Sequence, residues 1–499
     1  MASLAEIIEA AESAQEPGLI SSSLPQPGGV DPLGLRQINF DLMDQVFPGI
    51  NNIARHIRPF SVVTWAWRRA ATIADQQGQT RVPVSVLRDF VDRIEVVFAW
   101  SQFLRAPDSV LPGRDVLAPL LHRTEYEFGG EEWERRKTAR AYSTALSAPI
   151  NYGPALKTFG WLQADPSGAL VATAAVQEAL AALDQAMEPY LGHPVFSSLG
   201  KVGVSGADIG TWAEAWRLDL PTKAEKLAMV ETMAGELAPR CRRDSVALVV
   251  AASKHLGGTP SDQFLRRAMC GPPSDFHVPP PLEQIAKAWR GTQNRQAFRL
   301  ALEALFYWIC LRLENGATST GALVQEFLFE SGEAETAGHW FEAVRTDVFG
   351  PADWIERLDH CLYDDDRWAE LPATIRAVFA ACIAEAPDKA GTERADRLPL
   401  ARAAQEFAGW RDQPVADFLT HVLDSWVFGQ HVYWSVGRGL ADARARGRSI
   451  LRLKVALEDE GWTMTPGASI SAPRATADRL GTMVSLMREA DLLPAEGAD

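Results

Sequence analysis

The sequence lacks the short patterns that most often betray an activity. It has no G-x-x-x-x-G-K-[ST] loop, no G-x-S-x-G elbow and no H-E-x-x-H pair. P-loop nucleotide sites, α/β-hydrolase nucleophiles and zincin-type metal helices are therefore excluded. Cysteine is scarce: Cys241, Cys270, Cys310, Cys361 and Cys382 are the only five, and no two are spaced C-x-x-C. A disulfide framework or a thiolate zinc site does not fit an odd, dispersed set, and reduced, mostly buried thiols are expected instead. Long apolar runs are missing too. Ser245–Ala252 and Phe306–Leu313 are the most apolar stretches, far short of the roughly 20 residues a membrane helix needs. The start, Met1-Ala-Ser-Leu-Ala-Glu-Ile-Ile-Glu, is acidic and amphipathic rather than basic and then apolar, so no signal peptide is read and a cytoplasmic location, away from membranes, is expected. Positive charge is also in deficit, with 49 Lys and Arg against 64 Asp and Glu, a net charge of −15. The molecule as a whole repels phosphate, so any nucleic-acid contact needs a local basic patch.

What is present reads as a globular, mainly α-helical protein. Of the 499 residues, 47% are hydrophobic and 23% charged, enough apolar material for several domains with sizeable cores. Sixteen tryptophans are expected in helix–helix packing. Residues 3–14 read as a short helix and 16–29 as a connector, together an N-terminal arm covering 1–32. Residues 33–257 read as a helical domain, with Val63, Trp67, Ala70 and Ile73 on one stripe and Leu87, Val91, Ile94 and Phe98 on another. Asp165-Pro-Ser-Gly168 between two short apolar runs predicts a β-hairpin near 160–172. Thr222-Lys-Ala-Glu225 has capping-box form and predicts a helix to about residue 237. Another helix is predicted for about 243–255. Six prolines in 258–282 suggest a linker. Residues 283–396 return to helices at 293–314, 320–330, 336–347 and 372–385, and 387–397 reads as a second polar connector.

The C-terminal part, 397–499, is expected to be helical and winged-helix-like. Pro414 can open a helix running to about residue 445. Ser449-Ile-Leu-Arg-Leu-Lys-Val455 alternates like a strand, and Thr476 is positioned to cap a last helix to about residue 490. The fold class is thus multidomain and mainly α, with small β-hairpins that fit winged-helix units.

Among residues able to carry chemistry, Arg438, Arg444, Arg446, Arg448, Arg452 and Lys454 stand out. They fall within one short segment, opposed only by Asp442. Clustered arginines suit bidentate phosphate contact and counterion displacement, while cations at a helix end also complement the helix dipole with no ligand at all. A smaller basic set, Arg55, Arg58, Arg68 and Arg69, encloses Trp65 and Trp67 and reads as core. Asp364-Asp-Asp366 after His360-Cys361 reads as a loop or helix start, since consecutive acids diverge instead of converging on a metal. His421, His431 and His56 read as hydrogen-bonded packing histidines, and Glu458-Asp-Glu460 as an acidic turn. No catalytic residue, metal site or cofactor is expected.

Two stretches carry a resemblance. The first is Leu33-Gly-Leu-Arg-Gln-Ile-Asn-Phe, followed by Leu42-Met-Asp-Gln-Val-Phe-Pro-Gly-Ile and Arg55-His-Ile-Arg-Pro-Phe. The second combines Val427-Phe-Gly-Gln-His-Val432, Leu451-Arg-Leu-Lys-Val455, Glu458-Asp-Glu-Gly-Trp462 and the end from Arg479-Leu to Ala490-Asp-Leu-Leu493. Together they resemble a family of helical proteins encoded in bacterial anti-phage defence islands, often near helicase-like genes. The resemblance spans about a third of the chain, at its two ends, and brings no catalytic residues with it. It implies a non-enzymatic defence subunit that contacts DNA and works with other defence proteins such as a helicase or nuclease. Two alternatives stay open: a helical scaffold joining protein partners without nucleic acid, and a nuclease or other enzyme with an unfamiliar site.

Overall fold

Apolar periodicity becomes helix almost wherever the sequence carries it. The computed structural model describes residues 31–78, 82–139, 152–271, 276–344, 349–389, 397–446 and 452–494, without the side chains of 115, 116, 138, 139 and 442–446. The arm expected at 3–14 and 16–29, and most of the second connector, lie outside these residues. Within them the protein is mainly α, with three two-stranded antiparallel sheets. The capping box forms as read: Thr222 Oγ1 accepts the Glu225 N–H, Glu225 Oε2 accepts the Thr222 N–H at 2.6 Å, and the helix runs Lys223–Ala234. The predicted hairpin is β2 (Leu162–Ala164) with β3 (Leu170–Ala172), its turn held by Asp165 Oδ1, which accepts the Ser167 and Ala169 N–H groups. One sheet was not legible: β1 (Glu125–Phe128) pairs with β4 (Val202–Ser205). These strands are remote in sequence and very short, and they join because Tyr126, Phe128, Val202 and Val204 all turn into one core.

There are two apolar cores. The first gathers helices Ile57–Gln76, Val84–Arg105, Gln177–Met187, Lys223–Ala234 and Arg240–Leu256. The second gathers Thr320–Ser331, Pro351–Tyr363, Leu371–Ala384 and the helical run from Val415. Twelve of the sixteen tryptophans are buried and the other four are half-buried, so the core reading of these residues holds. Several of their indole N–H groups find acceptors, as buried tryptophans favour: Trp133 on Asp89 at 2.8 Å, Trp161 on Thr232 at 2.6 Å, Trp289 on Ser245 at 2.9 Å and Trp308 on Glu330 at 2.9 Å.

The stretch 258–282 is not a bare linker. It holds the helix Asp262–Cys270, N-capped by Ser261, with Leu265, Met269 and Cys270 buried in the first core. Four of its six prolines mark helix starts: Pro260 precedes the cap, and Pro279–Pro281 lead into the next helix, while Pro272 and Pro273 lie outside the described residues. The change of core falls instead inside that next helix, Glu283–Leu313. Ile285, Ala286 and Trp289 belong to the first core, and Ala297 onward to the second. At 1.5 Å per residue this helix is about 46 Å long, and it is the strut on which both cores are built.

The C-terminal reading needs three corrections. Of the strand predicted at 449–455, residues 449–451 lie outside the described residues, and among the rest only Val455 is strand, as the start of β5 (Val455–Glu458) paired with β6 (Gly461–Met464). The hairpin register is set by its two-residue turn and by Trp462, which exchanges two 2.9 Å backbone bonds with Thr318. The last helix starts at Leu480, not at Thr476, with the Asp478 carboxylate accepting the Leu480 N–H at 3.2 Å. A winged-helix unit is not shown among the described residues. Val455 joins the second core, whereas Leu480, Met483, Val484 and Met487 join the first, so hairpin and helix serve different halves of the protein.

Candidate nucleic-acid interface

The basic segment begins on a long, irregular helix. Pro414 precedes Val415–His421, which continues as a π-helical stretch Val422–Gly429 and then as Gln430–Arg446. Gly429 permits this irregularity, because a Cβ there would lie 2.8 Å from the Asp424 carbonyl oxygen.

The first turns of Gln430–Arg446 grip the other end of the chain. Gln430 Nε2 donates to the Leu33 carbonyl at 3.0 Å and Trp434 Nε1 to the Asp31 carbonyl at 3.1 Å. His431 is fully buried against Phe306. Its Nδ1 lies 2.8 Å from the Pro32 carbonyl, while its Nε2 accepts the Lys454 N–H at 2.9 Å. A carbonyl can only accept and an amide N–H can only donate, so His431 is the neutral Nδ1–H tautomer. Burial lowers its pKa to about 4, assisted by Lys454 and opposed by the Pro32 bond. Gly34 (φ +70°) sits so close to the Trp434 ring that a Cβ would come within 2.2 Å of it. Arg397 stacks on the same ring at 4.5 Å and donates to the Gly34 carbonyl at 2.8 Å. Elsewhere, Glu489 accepts the Ile57 N–H at 2.8 Å and meets His56, and Arg479 pairs with Asp44. The two stretches that carry the family resemblance are thus interlocked in space.

Burial falls off along the helix. His431 and Ser435 are buried, but Arg438, on the same face one turn further, is exposed. Its guanidinium lies 5.8 Å from the centre of the Trp434 ring, and no carboxylate pairs with it among the described residues. Arg444 and Arg446 follow on this helix with side chains outside the described residues, and Arg448 lies outside altogether. Arg452 and Lys454 are half-buried. Lys454 Nζ donates to the Ser469 carbonyl at 2.8 Å, and burial lowers its pKa. The bond from the Lys454 N–H to His431 returns the end of the basic segment to the root of the helix. Lys454 is thereby held at the start of the helix that carries Arg438.

The other candidates are structural. Arg58 is buried and ion-paired to Glu225 at 3.1 Å, Arg68 pairs with Asp184, and Arg69 donates to the Phe196 carbonyl at 3.0 Å. Trp65 and Trp67 are core, while Arg55 stays exposed. His421 stacks on Trp410 and lies 3.0 Å from Glu406. Asp364 accepts the Asp366 N–H and opens a 3₁₀ turn. Asp459 and Glu460 form the β5–β6 turn. Among the described residues no three His, Cys, Asp or Glu side chains converge as metal ligands.

Sequence reasoning missed the polar middle of Glu283–Leu313. Gln293, Asn294, Arg295, Gln296, Arg299 and Glu303 are all buried, and Arg299 donates to Glu303 at 2.6 Å where neither is exposed. The signal was available: Gln293 to Gln296 are consecutive polar residues that directly precede the apolar-rich second half of this helix. The fold and this interface define a mainly α-helical protein of two cores with small β-hairpins. No family model matches the chain, and neither a curated protein nor a solved structure does.

Proposed function

We propose that this chain is a non-enzymatic subunit of a bacterial anti-phage defence assembly that contacts DNA through residues 438–454. A partner such as a helicase or nuclease would supply the catalysis. The observation that carries the DNA contact is the exposed Arg438, with no carboxylate paired to it among the described residues, and with Arg444, Arg446 and Arg448 next along the sequence. Cations that face solvent without a carboxylate partner can exchange their counterions for phosphate, which is the main source of DNA affinity. The half-buried Lys454, engaged with Ser469, contributes less than the sequence suggested. The defence context rests on the resemblance of the two chain ends, which the fold brings together.

The test is DNA binding by the purified chain across a salt series, read by fluorescence anisotropy. Up to six phosphate contacts give log affinity against log salt a slope of about −5. Arg444→Glu, Arg446→Glu and Arg448→Glu combined should remove salt-sensitive binding while the circular dichroism spectrum stays unchanged. Unaltered binding in the folded triple variant, or no binding by the wild-type chain at about 50 mM salt, rejects the reading.

A further inference from the structure

Where Glu283–Leu313 passes from one core to the other, a cavity of about 330 Å³ opens beside it. It is walled by Asp262–Cys270 on the side of the first core, by Pro351–Tyr363 on the side of the second, and by residues 475–478. A volume of this order suits a small molecule. Most of its charged wall is already matched. Asp478, only 3% exposed, accepts from Arg266 through both oxygens, from Gln293 Nε2 at 2.6 Å and from the Leu480 N–H at 3.2 Å. That uses the acceptor positions of a carboxylate. Glu356 accepts from Gln263 at 2.6 Å and from Arg267, whose Nε also lies 2.8 Å from Asp353. An anionic ligand would have to take these arginines from their carboxylates.

Apart from Arg267 Nε, which lies against Asp353, the atoms the wall leaves without a hydrogen-bond partner can accept. Gln293 Oε1, Asp359 Oδ1 and Thr476 Oγ1 are buried atoms with no hydrogen-bond partner, and Gln293 is fully buried. Buried acceptors without donors are rare in folded proteins and call for a donor from ordered water, an ion or a ligand. We infer that this cavity binds a compact organic cation carrying a guanidinium or primary ammonium group, through Asp359, Gln293 and Thr476. Such a group brings several N–H donors and the charge that Asp359 lacks a direct partner for. Burial pushes the Asp359 carboxyl up, against the pull of Arg299, His360 and Arg474. Arg299 is itself tied to Glu303, and Arg474 to the Tyr363 hydroxyl. Because Asp359 belongs to the second core's helix and Gln293 to the strut, an occupant would fasten the joint between the cores.

Isothermal titration calorimetry on the full chain, with agmatine as the cationic probe and inorganic phosphate as the anionic one, tests this. Saturable agmatine binding is expected, weakened at least about tenfold in Asp359→Asn, since a charge-assisted hydrogen bond is lost. Gln293→Met and Thr476→Val should each weaken it too, and either keeps the test alive if Asp359→Asn does not fold. No agmatine binding, tighter phosphate binding, or equal agmatine affinity in all three folded variants overturns the inference. DNA binding by residues 438–454 is unaffected by any of these outcomes.

Discussion

Acidification should open the His431 joint before it unfolds the rest of the protein. In the folded state the imidazole is neutral, donating through Nδ1 to Pro32 and accepting the Lys454 N–H through Nε2. A proton on Nε2 would turn that acceptor into a second donor facing an N–H, and burial places the folded pKa at about 4. Unfolded, a histidine titrates near 6.5, about 2.5 units higher. Between these values the unfolded chain binds the proton and the folded one does not, so stability falls as pH drops. The contribution is fully present above pH 6.5. About 2 kcal/mol of it is gone by pH 5 and about 3 kcal/mol by pH 4. Hydrogen exchange read by mass spectrometry on peptides covering 31–35 and 452–455 measures the joint directly. Carboxylates elsewhere also titrate in this range, so His431→Gln is the control. It can keep one donor and one acceptor but does not titrate, and its protection factors, corrected for the intrinsic pH dependence of amide exchange, should be flat from pH 6.5 to 5 while those of the wild type fall by more than about tenfold. Identical pH dependence in the two proteins, or a titration of His431 near 6.5, would refute the reasoning.

Two further perturbations probe how the ends and the first core are held. Gly34→Ala places a Cβ against the Trp434 ring at a positive φ, which is expected to cost about 1–3 kcal/mol and to expose residues 31–35 to limited proteolysis. Arg58→Ala leaves Glu225, which is 0% exposed, without its cation, and a loss of about 3–5 kcal/mol is expected in chemical denaturation. Arg58→Met combined with Glu225→Gln keeps the Thr222 cap without the charges and should lose clearly less than Arg58→Ala alone; an equal loss would show that the ion pair is not what the site depends on.

Local physics was readable from the residues themselves. The Thr222 cap, the Asp165 turn, the Pro414 start and the apolar stripes each involve neighbours within a few positions, so the sequence determined most helices, one hairpin and the burial of the tryptophans. It also exposed the run of positive charge at 438–454 in an acidic chain. Only the tertiary structure decided which cations remain available. Arg438 faces solvent, while Arg58, as basic in sequence, is buried on Glu225. Only the fold could pair β1 with β4 or send the last helix to a different core from the hairpin before it, because these contacts join residues with no local preference for each other. The same holds for His431, whose partners Pro32 and Lys454 lie far apart in sequence, and for the polar stretch of Glu283–Leu313. Spacing along a chain fixes which face of a helix is apolar, but what that face meets is set by the packing of all the others.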